Sequence, residues 1–342
     1  MSDATTLERI ETEAQLIDQM TTPTTEVEAA VRALDGDIVI LGIAGKMGPT
    51  LGELLVRAGA KRVIGVSRFS DPASRQDIED RGIETVRADL LDERALADLP
   101  DAPYIYQMAG HKFGSTGNES LTWAMNTLLP AQVVSRFRDS RIVYVSSGNV
   151  YEFAPTDGPG ATETDAVEPI GEYAQSRLGG ERVAAHQAAR FDTKLAIIRL
   201  FYATELRYGI VLDIGQKVAA GEPIDLTMGH VNQLWQGDAN AYLAQSFPLC
   251  ESPARTLNMT GREVLSVRSV AKSLGEALSI EPVFVGEEAP TALLGDASRM
   301  IGILGEPRVG IDSIIAWVAG WLAGGGRTLG KPTQFESRTG KF

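Results

Sequence analysis

Three groups of residues in this sequence have types and spacings suited to chemistry. Gly42, Gly45 and Gly48 follow the apolar run Ile38-Val39-Ile40-Leu41, with Lys46 and Met47 inside the turn they form. A glycine turn of this kind lets backbone approach a pyrophosphate closely and aims N–H groups and the positive end of the next helix at it. It therefore predicts a dinucleotide site. Glycines also build ordinary turns, but the strand before, the helical spacing of Leu51, Leu54, Leu55 and Ala58 after, and a second apolar run at 62–66 favour the ligand.

The second group is Ser146-Ser147-Gly148-Asn149, delivered by the run Ile142-Val143-Tyr144-Val145 to the carboxyl edge of a sheet, where ligands of open α/β folds bind. The third is Tyr173 with Arg177, four apart and hence on one helix face. A serine hydroxyl, a phenol and a nearby cation make an acid/base set: the cation favours the phenolate and the serine orients a substrate oxygen. Taken alone, a Tyr/Arg pair at this spacing also reads as a surface contact.

Positioning these groups requires alternating elements, and the chain supplies them. Strands are expected at 37–43, 62–66, 83–86, 103–107, 141–145 and 195–200, and helices at 48–58, near 119–137 and at about 172–190. Such alternation predicts an α/β fold with a doubly wound parallel sheet of Rossmann type. Four parts follow: a helical extension over 1–36, a dinucleotide-binding domain over 37–202 whose sheet can receive later strands, a smaller substrate-binding lobe mostly over 203–322, and a tail over 323–342 with little pattern. In the extension, Thr25 and Glu28 read as a capping box that opens a helix. A late helix over 312–322 shows Ile311, Ile314, Ile315, Val318 and Leu322 on one face, as core packing would.

Bulk properties narrow the function classes. A net charge of -13 and a pI near 4.8 argue against nucleic acid or an anionic membrane as partner and favour small-molecule work. One cysteine, Cys250, excludes an intramolecular disulfide, and histidines at 111, 186 and 230 lack metal-ligand spacing, so no metal is expected. The polar, acidic start is unlike a signal peptide, and no apolar run is long enough to span a bilayer; both point to the cytoplasm.

In order along the chain, these signposts resemble the extended short-chain dehydrogenase/reductases, in the NAD-dependent epimerase/dehydratase branch. The likeness runs from Asp37 to about Pro307. Gly42, Gly45 and Gly48 match the family's glycine motif. Asp89, followed by Leu90, matches the acid that contacts adenine, and Met108-Ala109-Gly110 matches the turn beside the cofactor. Asn126 matches a mid-helix asparagine, and Asp238 an aspartate of the lobe. Ser147 and Tyr173 fall where the catalytic serine and tyrosine sit. The resemblance implies an NAD(P) cofactor and a homodimer formed through the helices near 119–137 and 173–190.

The sequence departs from the family at two places: Arg177 stands for the lysine, and Tyr202 for an asparagine. Arginine keeps the charge but changes shape and reach. Where NAD-using members carry an aspartate, this chain has Val66-Ser67-Arg68; Ser67 repels no phosphate and Arg68 can bind one, which tilts the cofactor toward NADP unless Arg68 is a plain surface charge. The arginines that hold a diphosphate in sugar-nucleotide members are missing at Val231-Asn232-Gln233 and Glu287-Glu288, and Gly148-Asn149 replaces the acidic pair of dehydratases. Candidate substrate residues are His111, Lys112, Asn149, Tyr202 and Arg207; the two cations suit a carboxylate, although each also reads as an exposed charge, and His111 as a satisfied neighbour. The expected activity is an NAD(P)-dependent epimerase or dehydrogenase acting on a hydroxyl or carbonyl of a small carbohydrate-like compound such as a sugar acid. Two rivals are a cofactor-binding regulator or scaffold that has lost turnover, and a reductase sharing the Gly-x-x-Gly-Lys-Met-Gly loop, which leaves Ser147 and Tyr173 unexplained.

Overall fold

Seven parallel strands share one sheet: β1 (Ile38–Leu41), β2 (Val63–Ser67), β3 (Glu84–Arg87), β4 (Tyr104–Gln107), β5 (Arg141–Ser147), β6 (Lys194–Leu200) and β7 (Arg255–Met259), in the spatial order β7-β6-β5-β4-β1-β2-β3. The computed structural model describes residues 6–112, 114 and 116–340. Ile38 pairs with Val63 on one side and Tyr104 on the other, so the order reverses at β1. All four β1 residues are buried, as a central strand covered on both faces requires. A crevice opens at the carboxyl ends of β1 and β4, the usual ligand position in such sheets.

Helices cover both faces. On one side lie α2 (Thr25–Arg32), α3 (Gly48–Arg57), α10 (Gln236–Ala244) and α12 (Ser298–Leu304), packing Val27, Leu51, Leu55, Leu243 and Met300 against the sheet. On the other lie α5 (Glu93–Ala97), α7 (Leu129–Arg136) and α8 (Gly171–Phe191), with Leu96, Val133 and Ala184 inward. Each fully buried leucine contributes roughly 1.5–3 kcal/mol. A separate core joins α9 (Ile210–Ala220), α11 (Val267–Leu278) and α13 (Ile311–Ala323) in the lobe. Among the described residues, no helix is long and apolar enough to cross a membrane.

Four local features differ from the expectation. A first helix, α1 (Glu13–Thr21), precedes α2, and the capping box forms there, between Thr12 and Gln15. The cap of α2 is instead Thr24, which accepts from the Val27 N–H. A helix with almost no apolar pattern, α4 (Pro72–Asp80), forms on its Asp71 cap and first-turn proline; only Ile78 is buried. The helix expected near 119–137 is interrupted: α6 (Glu119–Trp123) passes into a π turn, Ala124–Leu128, before α7. The tail, unassigned from sequence, docks on the lobe. Phe335 joins the lobe core, and Arg338 donates to the Thr291 oxygen at 2.7 Å while lying 4.3 Å over the Phe153 ring.

Candidate active site

The glycine turn closes against the turn that follows β4. Gly42 has φ +89, and a Cβ there would lie 2.7 Å from the Ala109 nitrogen; one on Gly48 would lie 2.1 Å from the Ile43 oxygen. Only glycine permits this approach. Met47, the cap of α3, supplies no side-chain acceptor and Pro49 has no N–H, so the Gly48 and Thr50 N–H groups are the ones the first turn offers an anion. Thr50 steadies the turn: its hydroxyl donates to the Met47 oxygen and accepts from Gln236 and Asn240 of α10 at 3.0 and 2.9 Å. This cradle fits a dinucleotide pyrophosphate.

Two clefts meet at the turn. One, of about 380 Å³, is lined by Ser67, Arg68, Ser70, Ser74, Asp89, Leu90, Ala109 and neighbouring residues, with Gly42, Gly45, Met108 and Gly110 at its mouth. Asp89 accepts from the Leu91 N–H at 3.1 Å. The other, of about 240 Å³, brings Lys46, Met47, Gly48, His111, Lys112, Ser147, Asn149, Tyr173, Arg177 and Tyr202 together. These residues come from β5, α8 and the four segments that follow β1, β4, β5 and β6.

At the end of β5, the Ser147 hydroxyl donates to the Asn149 Oδ1 at 3.0 Å and accepts from the Asn149 N–H at 3.2 Å. Tyr173 sits in the first turn of α8, 9% exposed. One turn on, Arg177 is 5% exposed; its guanidinium donates to the Val145 oxygen, lies 5.2 Å over the Tyr144 ring, and leaves Nε without a partner among the described residues. A Cβ on Gly110 would lie 2.7 Å from Nη1, so that turn must stay bare to admit the arginine. Arg177 thus uses its longer reach to grip β5.

The register of α8 against the sheet is held by a buried ion pair. Glu181 accepts from Arg199 at 2.8 Å and from the Ser146 hydroxyl at 2.6 Å, and Arg199 donates to the Tyr151 hydroxyl at 2.7 Å. This fastens Tyr173 relative to Ser147.

The π turn has a clear use. It presents Asn126, whose amide accepts from the His111 N–H and donates to the His111 oxygen, each at 2.8 Å. The His111 Nδ1 lies 3.0 Å from the Thr122 hydroxyl, which itself donates to the Asn118 oxygen. The ring is thus held through Nδ1, and Nε2 is its other polar atom.

The cations are redistributed. Arg207 does not line the cleft: it pairs with Glu205 at 3.2 Å and with Glu13 of α1 at 3.0 Å, which removes it from the substrate candidates. Lys46 enters instead, donating to the Ala203 oxygen on the lobe side with its amine 4.3 Å over the Tyr208 ring. Lys112 places its amine 5.7 Å over Tyr173 and 6.0 Å over Tyr202. Burial pushes the Lys46 ammonium down to about 7 and that of Lys112 to about 8, and drives the Tyr202 and Tyr208 phenols upward.

Tyr208 and Thr333 line this cleft without having been singled out from sequence. Thr333 belongs to the tail, where no periodicity announces it, and binds Asp213 through its N–H and hydroxyl at 2.7 and 2.6 Å. Asp238 lies outside the cleft and accepts from the Val309 N–H, a structural contact. No group of side chains suited to a metal exists among the described residues.

Residues 38–204 match the NAD dependent epimerase/dehydratase family. Among solved structures, UDP-glucuronic acid 4-epimerase from Bacillus cereus, in complex with NAD, superposes with a TM-score of 0.68 at 16% identity, over 84% of this chain and 98% of that one. A UDP-galactose 4-epimerase gives 0.68 at 20% identity, over 84% and 98%. An epimerase from Methanothermobacter thermautotrophicus gives 0.69 at 19%, over 87% and 96%. Likeness at these identities speaks for the fold, and no curated protein matches the sequence significantly. The matched segment holds the glycine turn, Ser147 and Tyr173, and over those residues the chain carries a domain of the NAD dependent epimerase/dehydratase family.

Proposed function

We propose that this protein is an NAD(P)-dependent epimerase or dehydrogenase acting on a hydroxyl or carbonyl carbon of a small carbohydrate-like acid. The observation that carries the reading is that Ser147 and Tyr173 line one cleft with the glycine turn. When bound, the nicotinamide supplies the two-electron exchange with the substrate carbon.

The chain's own residues do the rest. The Tyr173 phenol exchanges the proton of the substrate hydroxyl. Ser147 keeps the Asn149 N–H as donor and redirects its own O–H from Asn149 Oδ1 to the substrate oxygen. Arg177 holds positive charge beside Tyr173 and keeps a buried Nε with no hydrogen-bond partner among the described residues. His111, held through Nδ1 at Thr122, has Nε2 as its other polar atom for a second substrate hydroxyl. Phe201, Tyr202 and Tyr208 enclose the pocket and limit water.

Support for NADP over NAD comes from the lining near Arg68. Ser67, Ser70 and Ser74 line the same cleft, and among the described residues Asp89 is the one acid that lines it. A homodimer is supported by the exposed Leu121, Trp123 and Leu128 along the α6–α7 segment, with Ile170 at the start of α8.

The test is Tyr173→Phe assayed with both cofactors on sugar acids and their neutral counterparts. Turnover should fall by on the order of 10²- to 10⁴-fold with cofactor affinity unchanged. A variant that turns over at the wild-type rate would remove Tyr173 from the mechanism. A wild type that binds cofactor and turns over nothing would favour the regulator.

A further inference from the structure

The cleft that holds Ser147 and Tyr173 is bounded on one side by the tail. Thr333, 1% exposed, lines it, while its chain neighbours Pro332 and Gln334 line a larger cleft of about 870 Å³ together with Asp213, Lys217 and Glu336. The partition between the two spaces is a single chain thick at this point. A third space adjoins at Asn149 and Tyr202, which line the cleft and also a cavity shared with Phe153, Ile170, Ser337 and Gly340. That cavity measures about 20 Å³, room for about one water. Tail residues therefore bound the cleft in two places.

This segment is fastened to both halves of the molecule. Asp213 of α9 accepts from the Thr333 N–H and hydroxyl at 2.7 and 2.6 Å, Phe335 sits in the lobe core, and Glu336 pairs with Lys217. Arg338 donates to the Thr291 carbonyl and hydroxyl oxygens at 2.7 and 2.8 Å and lies over the Phe153 ring. Gly340 then meets the start of α8, where a Cβ on it would run into the Ile170 oxygen and one on Gly171 would run into the Gly340 oxygen. Tyr173 follows two residues later. Anchored by polar, charged and apolar contacts in turn, the tail is a fixed part of the pocket and not a fraying end.

Volume decides what such a wall admits. The cleft holds about 240 Å³ and must also take the nicotinamide end of the cofactor, whereas pockets for drug-sized ligands run to about 300–1,000 Å³. That leaves space for a compact molecule. A larger one needs a further channel, and the 870 Å³ groove that could hold its remainder lies behind Thr333.

We propose that the tail, through Thr333, Ser337 and Gly340, sets substrate specificity by size: a compact carbohydrate-like molecule enters the cleft, and a sugar linked to a nucleoside diphosphate is shut out. The inference rests on the functional reading above and deepens it by naming the segment that selects the substrate class. That segment lies outside residues 38–204, which carry the family's domain.

The experiment reads the wall by thiol access. Asn149→Cys places a thiol between the cleft and the 20 Å³ cavity, and the native Cys250, 3% exposed and with its thiol pKa pushed up by burial, stays inert. In the full chain with excess NAD, methyl methanethiosulfonate should label the introduced thiol, and fluorescein maleimide, comparable to a nucleotide in bulk, should not. Arg338→Ala and Gly340→Val, each added to Asn149→Cys, should raise the fluorescein rate about tenfold or more, the factor by which losing a charge-assisted hydrogen bond shifts an opening equilibrium, and leave the small reagent's rate within about twofold. Calorimetry on the wild type should show no binding of UDP-glucuronate. Four results would overturn the wall: no labelling by the small reagent, labelling by the bulky reagent as fast as by the small one, a fluorescein rate unmoved by both loosening substitutions, or tight binding of UDP-glucuronate to the wild type. Thiol access needs no turnover, so a protein inert toward every sugar that still excludes the bulky reagent keeps the wall and loses the enzymatic reading. An active enzyme that the bulky reagent labels freely does the opposite.

Discussion

Lys46→Met should make the protein more stable and do so in a pH-dependent way. The amine is surrounded by Glu205 and Asp213, which favour its charge, and by Arg207 and Lys112, which oppose it, with burial the largest influence. Its pKa falls from the ordinary 10.5 to about 7. At about 1.4 kcal/mol per unit, that gap corresponds to roughly 5 kcal/mol held against the folded state when the amine is charged. Part of the Lys46 surface stays open to the cleft, and methionine also gives up the Ala203 hydrogen bond and the contact with Tyr208; about 2 kcal/mol of net gain near neutral pH is the working figure. The sign follows from proton counting. Between about pH 7 and 10.5 the unfolded chain binds the proton and the folded chain does not, so wild-type stability gains from this group as pH rises and loses it as pH falls toward 7. The advantage of Lys46→Met should therefore shrink from pH 7 to pH 10. Urea unfolding of both proteins at pH 7, 8.5 and 10 measures it. A stability difference that stays flat across that range, or a variant less stable at pH 7, would refute the reasoning.

Two further substitutions probe other parts of the site. Arg68→Ala should lower the affinity for NADP relative to NAD by about tenfold, read from fluorescence titration of both cofactors; an unchanged ratio would exclude Arg68 from the 2'-phosphate. Glu181→Ala strands Arg199, 7% exposed, with Tyr151 as its remaining charged-hydrogen-bond acceptor, and should cost about 3–5 kcal/mol in urea unfolding. The double change Glu181→Leu with Arg199→Met should recover most of that loss, and a double variant as unstable as Glu181→Ala would show that the pair is not the cause.

The elements that place the site were legible because local patterns specify them. Ile38–Leu41 is apolar at every position, as burial on both faces demands, and the three glycines that follow are required by backbone approaching Ala109 and Ile43. Alternating strands and helices predict a parallel sheet, whose spatial order the fold supplies, and Ser147 and Tyr173 lie at the ends of elements that pattern alone located. Other features carried no local signal. The π turn that frees Asn126 keeps helical composition throughout, and α4 rests on a cap and a proline instead of a hydrophobic stripe. The charges were the least readable. Arg207 meets Glu13 across 194 positions, and Lys46 meets Ala203 across 157, so which cation enters the cleft is decided by how the extension and lobe dock on the sheet. Thr333 reaches the same cleft from a tail without periodicity, through hydrogen bonds to Asp213 that exist only once both segments are packed. Sequence spacing governs period and turn, whereas the pairing of distant charges depends on surfaces that folding alone brings together.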